Sequence, residues 1–385
     1  MSAVEGGISG SPGSTEILFT PLEHSTLPLK NRIVMAPMTR WFSPDGIPGP
    51  DVAAYYRRRA EGGAGLIITE GTFIDHPATL NYASSIPRLF GDQALAGWRH
   101  VVGEVHAAGA RIMAQLWHTG LVYAFGQEQL GPTGQVIDPP HASPSGFVEP
   151  GHKVTGPMTD NDIADVIASY ARAAAAARQV GFDGVEIHAA HGYLIDQFFW
   201  EALNKRTDRY GVDVTGRTRL MVDILTAMRA EVGADFPICI RYSQWKQQDY
   251  TARLADTPQE LERFLEPIAD AGPDFFHCSQ RRFWESEFSG SDRNLAGWTR
   301  KITGLPVITV GSVGLREDFM HSFSEGGATQ PAGLEGLVAR LERGDFDLVA
   351  VGRALLGDAN WPNRVRSGDT DRLRGFDTSV LETLN

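Results

Sequence analysis

Cysteine is almost absent from this chain. Only Cys239 and Cys278 occur among 385 residues. Two thiols cannot ligate a four-cysteine iron–sulfur cluster. Both lie in apolar, strand-like runs, so two buried free thiols are expected rather than a bridge, and the reducing cytoplasm is the expected compartment. No run of eighteen apolar residues occurs, so no transmembrane helix is expected. Positive charge is in deficit: 35 Lys and Arg stand against 47 Asp and Glu, a formal net charge of −12. That argues against nucleic acid or an anionic membrane surface as a partner, and any phosphate ligand then needs a local cationic pocket. His-Glu-x-x-His, Cys-x-x-Cys and Gly-x-Ser-x-Gly are missing, so metal and serine-hydrolase chemistry lack support. No Gly-x-Gly-x-x-Gly follows the first apolar run, which counts against a doubly wound dinucleotide fold.

What is present is an alternation. Hydrophobic residues make up 42% and charged residues 21%, as in globular proteins. Met1 to Thr15 is rich in Gly and Ser and lacks an apolar core. It reads as a disordered tail rather than a secretory signal, leaving residues 16–385 as one domain. Strands are predicted at Arg32–Pro37, Gly65–Thr72, Arg111–His118, Gly184–Ala189, Pro237–Ser243, Asp274–Ser279, Pro306–Val310 and Asp347–Val351. Helical segments separate them, among them an alanine-rich one at Asp160–Gly181 with Thr159 as its cap. Another at Thr257–Gly272 opens on a capping box, Thr257-Pro258-Gln259-Glu260. Eight strands alternating with helices predict an α/β (β/α)8 TIM barrel. Leu121 to Gly156, rich in Gly and Pro, would then be a loop on the C-terminal face, and reads as a lid.

On a barrel, polar groups at the C-terminal ends of strands are the catalytic candidates. In order these are Thr39, Gly71, Gln115 with Trp117, His188 with His191, Arg241, Gly311, and Gly352 with Arg353. The last two glycines follow strands seven and eight, where barrels often hold phosphate, and Arg353 adds a planar cation. Each candidate has an ordinary alternative. Thr39 can be a turn residue, Gln115 a satisfied buried amide, Trp117 plain core. Arg241 ends an apolar strand and demands an anion, either a ligand or a structural carboxylate. Arg57-Arg58-Arg59 reads as a solvated helix face. His188, His191 and Tyr193 form the richest constellation: two neutral imidazole N–H donors can hold one ligand oxygen while a phenol delivers a proton beside it. That suits a carbonyl or nitro group. A zinc site would need a third ligand, such as Asp196 or Glu186, which nothing marks.

The segments Asn31–Arg40, Ala114–Gly120, His188–Leu194, Asn204–Gly211 and Val351–Arg353 occur in an order and spacing that resembles the Old Yellow Enzyme family of FMN-dependent ene-reductases. The resemblance implies a barrel with FMN bound non-covalently at its top. Pro37 and Gly71 would give backbone contacts to the isoalloxazine, Thr39 would bond flavin O4, and Gln115 the pyrimidine edge. Arg241 would stand by N1 and O2, where reduction places negative charge. Gly311, Ser312, Gly352 and Arg353 would hold the phosphate. His188 and His191 would clasp the substrate oxygen, Tyr193 would be the proton donor, and Tyr82 and Trp117 would wall the pocket. Here the loop after strand seven is Gly311-Ser312-Val313-Gly314, in a region that varies in the family. Gln244–Gln248 has no assigned role.

The expected activity is reduction of electron-poor alkenes, α,β-unsaturated carbonyl or nitro compounds, with NADPH or NADH as reductant and without metal. A monomer or homodimer would serve. Two other classes fit a barrel with a phosphate site: a flavin-free lyase, which would purify colourless, and a non-catalytic flavin binder, which NADPH would not bleach.

Overall fold

The computed structural model describes residues 14–79, 84–120, 122, 157–322 and 328–385. The expected lid, Val122 apart, and Tyr82 lie outside these residues, as does the expected tail up to residue 13. Ser14 caps a single 3-10 turn, Thr15–Phe19, its hydroxyl accepting from the Glu16 N–H.

The strands are β1 (Ile33–Met35), β2 (Leu66–Phe73), β3 (Arg111–Trp117), β4 (Gly184–His188), β5 (Ile238–Tyr242), β6 (Phe275–Ser279), β7 (Val307–Val310) and β8 (Leu348–Val351). All pair in parallel and in sequence order, and β1 closes onto β8 through Ile33↔Val349, Val34↔Ala350 and Met35↔Val351. Closure rules out the doubly wound alternative. The helices are α1 (Pro50–Glu61), α2 (Asp92–Ala107), α3 (Asp160–Val180), α4 (Leu194–Phe199), α5 (Val214–Val232), α6 (Pro258–Asp270), α7 (Leu295–Thr303), α8 (Phe319–Ser322), α9 (Glu335–Glu342), α10 (Arg353–Gly357) and α11 (Trp361–Ser367).

Strand alternation divides the core in two. Val34, Leu66, Ile68, Met113, Cys239, Phe275, Ile308 and Leu348 cluster with Leu22, Leu27 and Leu29 from the segment before β1. Ile33, Met35, Ile67, Ile112, Ile187, Ile240 and Phe276 pack with helix residues in the larger cluster. Apolar side chains thus fill one end of the barrel interior, and polar ones are gathered at the strands' C-terminal ends. The expected capping box forms on α6, Thr257 with Glu260, and the expected cap Thr159 proves to be part of a second box, with Asp162 on α3. Both cysteines are buried and unbridged.

One reading is corrected. Arg59 is not solvated. It is 1% exposed, its guanidinium lying 3.8 Å above the Tyr55 ring and donating to the carbonyls of Tyr55 and Leu355. Burial pulls its pKa down to about 10. The cause is helical period: Tyr55 and Arg59 are one turn apart on the inward face of α1, while Arg57 faces outward to Glu61 and Glu104. Among the described residues, no helix is long and apolar enough to cross a membrane.

Candidate active site

The C-terminal ends of the strands open into a cavity of about 590 Å³. Its lining contains Pro37, Thr39, Gly71, Gln115, Trp117, His188, His191, Tyr193, Arg241, Gly311, Ser312, Gly352 and Arg353. The site residues expected from sequence therefore converge, Tyr82 alone lying outside the described residues. Strand register explains part of this: Gln115 pairs with Glu186, and His188 with Arg241, so neighbouring strands deliver these side chains at adjacent levels.

One half of the cavity is cationic. Arg241 is 7% exposed. It donates to Ser279 Oγ at 3.2 Å, and its Nε is buried without a partner. No carboxylate among the described residues pairs with it directly, which answers whether its anion is structural. Glu186, the nearest candidate by register, is engaged by Gln115 Nε2 at 2.8 Å and His277 Nδ1 at 2.6 Å. That bond turns the Gln115 amide so that its carbonyl remains for a donor in the cavity. Arg353 donates to the carbonyls of Asp318 at 2.7 Å and Glu317 at 3.1 Å, and to Ser312 Oγ at 2.9 Å. These acceptors are neutral, so its charge has no direct counter-ion. Burial pulls its pKa to about 10, which keeps it protonated near neutral pH. Beside it Gly311 has φ 148° and Ser312 φ 52°. A Cβ at Gly311 would stand 2.8 Å from Gln280 O and 3.0 Å from Phe283 N, so only glycine fits this turn. Ser312 is held in a conformation non-glycine residues rarely adopt, a mark of a constrained site.

The other half is aromatic. The His188 ring lies 5.0 Å from His191 and 4.8 Å from Tyr193, both edge-on. Trp117 lies 5.0 Å from Tyr193. The Ala190 N–H donates to His188 Nδ1 at 3.4 Å, which leaves the proton on Nε2. Burial first, and the Arg241 charge next, hold both imidazoles well below their ordinary pKa. Both are therefore neutral. His191 Nε2 bonds Ser279 Oγ at 2.7 Å, and its backbone has φ 65°. Tyr193 Oη accepts from Gln247 Nε2 at 3.1 Å, which leaves its own proton free to donate. Burial pushes the phenol far above its ordinary value.

The stretch Gln244–Gln248 proves to be the scaffold of this half. Gln244 closes its own loop through Ala255 O and the Leu254 N–H. Trp245 stacks on His191 at 4.4 Å. Lys246 is wholly buried against Asp196 at 2.6 Å, and Asp196 in turn accepts from the Gly192 N–H at 2.7 Å. Gly192 has φ 82°, and a Cβ there would collide with the Gln248 amide. Asp196 and Glu186, the carboxylates that a zinc reading of the histidines required, are thus committed to other partners. Among the described residues, no group of three or more His, Cys, Asp or Glu could hold a metal.

Sequence reasoning missed Trp245, Gln247, Ser279 and Arg281, all of which line the cavity. Their signal was position: each follows the end of β5 or closes or follows β6. Phe376 and Leu381 also line it, and nothing local in the sequence marks them.

A family model described as NADH:flavin oxidoreductase / NADH oxidase matches residues 17–330. An NADH oxidase of Thermoanaerobacter brockii is 32% identical over 93% of this chain and 52% of that protein. The chain thus spans about half the length of some curated relatives it matches. A 12-oxophytodienoate reductase 1 of Oryza sativa subsp. japonica is 33% identical over 90% of this chain and 85% of its own. The old yellow enzyme homologue of Zymomonas mobilis superposes with a TM-score of 0.77 at 27% identity, covering 94% of this chain and 96% of that one. The chain belongs to the NADH:flavin oxidoreductase / NADH oxidase family, the Old Yellow Enzyme type of flavin-dependent barrel.

Proposed function

We propose that this protein reduces activated C=C bonds of α,β-unsaturated carbonyl or nitro compounds, with Tyr193 supplying the proton. FMN and NAD(P)H are the cofactor and reductant that go with its family. The residues present fit FMN: Arg353 has charge without a direct counter-ion beside a strained glycine turn, and Arg241, which lines the same cavity, has an orphaned buried Nε. Pro37, Thr39, Gly71 and Gln115 would hold the ring, Arg241 its N1 and O2 edge, and Gly311, Ser312, Gly352 and Arg353 the phosphate. Bound there, FMN supplies two-electron hydride chemistry at N5.

The protein's part is orientation and proton delivery. His188 and His191 are neutral donors; they polarise the ligand oxygen and draw charge away from the β-carbon. Tyr193 then gives its free proton to the α-carbon, and Gln247 stabilises the phenolate oxygen left behind. The observation that carries the reading is the phenol itself. It has one acceptor site filled, its proton unassigned, and its ring 4.8 Å from His188.

Half-reactions separate the roles. Tyr193→Phe is expected to keep the rate of flavin bleaching by NADPH within a few-fold. Its enone reduction should fall by roughly 10²–10⁴, the usual worth of a positioned general acid. Anaerobic stopped-flow traces of each half decide. Equal losses in both would make Tyr193 a wall of the pocket and not the acid. A colourless protein that takes up no FMN would return the flavin-free reading, and flavin that NADPH fails to bleach would return the binder.

A further inference from the structure

Beside Gln115, and off the cavity lining that Gln115 and Arg241 share, lies a charge to which the proposed reaction gives no part. Glu186 is 0% exposed, on β4 between β3 and β5. One carboxylate oxygen accepts from Gln115 Nε2, the other from His277 Nδ1 and from the Cys239 thiol at 3.6 Å. Every donor is buried as well. Burial alone would push this carboxyl up. His277, Arg241 and the Gln115 amide together outweigh it and hold Glu186 below the ordinary carboxylate range. His277 meets it through Nδ1 only, and its Nε2 is buried without a partner. Glu186 and Arg241 are not in direct contact. Their opposite charges nonetheless interact, both buried from solvent, where Coulomb interaction is weakly screened.

We propose that Glu186 sets the flavin reduction potential: it fixes the amide of Gln115 and offsets part of the Arg241 charge felt by the ring. This rests on the proposed placement of the pyrimidine edge over Gln115 and Arg241. With Nε2 committed to Glu186, Gln115 presents a carbonyl to the cavity, and a carbonyl selects the N–H of that edge. Reduction adds negative charge at the same edge. Arg241 favours that charge and Glu186 opposes it. The pair leaves the ring attractive enough to take hydride from a nicotinamide, and not so attractive that it keeps it from an alkene.

The test is the two-electron midpoint potential of the FMN-loaded protein, read by spectroelectrochemistry. Glu186→Gln removes the charge; its amide oxygen can keep the bond from Gln115 Nε2, while its NH2 faces His277, whose neutral ring can turn Nδ1 into an acceptor by changing tautomer. It is expected to bind FMN in full and to favour the reduced state roughly tenfold, a rise of about 30 mV. An unchanged or lower potential with FMN fully bound overturns the proposal. Arg241→Met is measured beside it and is expected to lower the potential. If Arg241→Met does not, the placement of the ring is wrong and both readings fall. If Arg241→Met lowers it while Glu186→Gln leaves it alone, only the role of Glu186 falls. Should Glu186→Gln not fold, infrared difference spectra of the wild-type holoenzyme across its reduction take its place. A shifted carboxylate stretch supports the proposal; a protonated carboxyl stretch in either state overturns it.

Discussion

In the proposed reaction His188 and His191 act on one ligand oxygen, so neither can be judged alone. Each ring is neutral, buried and braced from behind: His188 by the Ala190 N–H, His191 by Ser279 Oγ and the face of Trp245. A phenolate held over the flavin is a fitting probe, since its oxygen needs donors and its ring gives a long-wavelength charge-transfer band. His188→Ala and His191→Ala are each expected to weaken phenol binding by about 1.5–3 kcal/mol, the worth of a donor to a charged acceptor. The double variant should lose less than the sum, because the two donors share one acceptor. Titrations followed at the charge-transfer band check this. Phenol affinities undiminished in both single variants would remove the clasp.

The segment after β1 is held by a residue on β2. Glu70 is buried, and its Oε2 accepts from the backbone N–H of Arg40 at 2.9 Å and of Trp41 at 3.3 Å. The Arg40 guanidinium in turn donates to Val380 O at 3.0 Å and Thr383 O at 2.6 Å. One carboxylate thus fixes the stretch carrying Thr39 and, through Arg40, the C-terminal stretch carrying Leu381. Burial pushes Glu70 from 4.5 up to about 7, against the pull of the two N–H donors. Between those values the folded protein keeps a proton that the unfolded chain has released. The group's contribution to stability is therefore full below about pH 4.5 and is lost as pH rises through about 7. Glu70→Gln removes the titration. It is expected to be more stable than the parent above about pH 8, by up to about 3 kcal/mol, with the gap closing near pH 5. Melting curves at the two pH values check it; an equal difference at both would mean that Glu70 does not titrate in that window.

Strands and long helices were legible because their signals are local. β-branched runs, the capping residues Thr159 and Thr257, and closing glycines all act within a few residues of themselves. The short helices α4, α8 and α10 were not, since four to six residues hold too little period to see. Of the site, the strand-end residues were legible, because a barrel turns every strand end toward one place. Gln247 and Trp245 were not, nor was Ser279, although it closes β6. Their meaning lies in what they touch, Tyr193 and His191, and those contacts cross between strands.

At the scale of the molecule, a net charge of −12 surrounds a site whose cations, Arg241 and Arg353, lack direct counter-ions. An anionic ligand relieves both. FMN at a hundredfold excess over its dissociation constant is expected to stabilise the fold by about 3 kcal/mol, seen as a higher melting temperature. Arg353→Met should shrink that gain, and riboflavin, which lacks the phosphate, should reproduce little of it. A melting temperature indifferent to FMN would contradict the phosphate site.

The seam between β1 and β8 has a temporal meaning. Ile33 pairs with Val349, so a ribosome has released the first strand long before its neighbour exists. Until then β1 and β7 are open sheet edges, which invite pairing with other chains. The turns proposed to hold the phosphate follow β7 and β8, the last strands made. A nascent chain can therefore assemble most of its wall, with the residues proposed to hold the flavin ring, before the turns proposed to hold its phosphate exist. With FMN held as proposed, the strands that close the ring also complete its phosphate site, and the chain carries open, aggregation-prone edges until they are made.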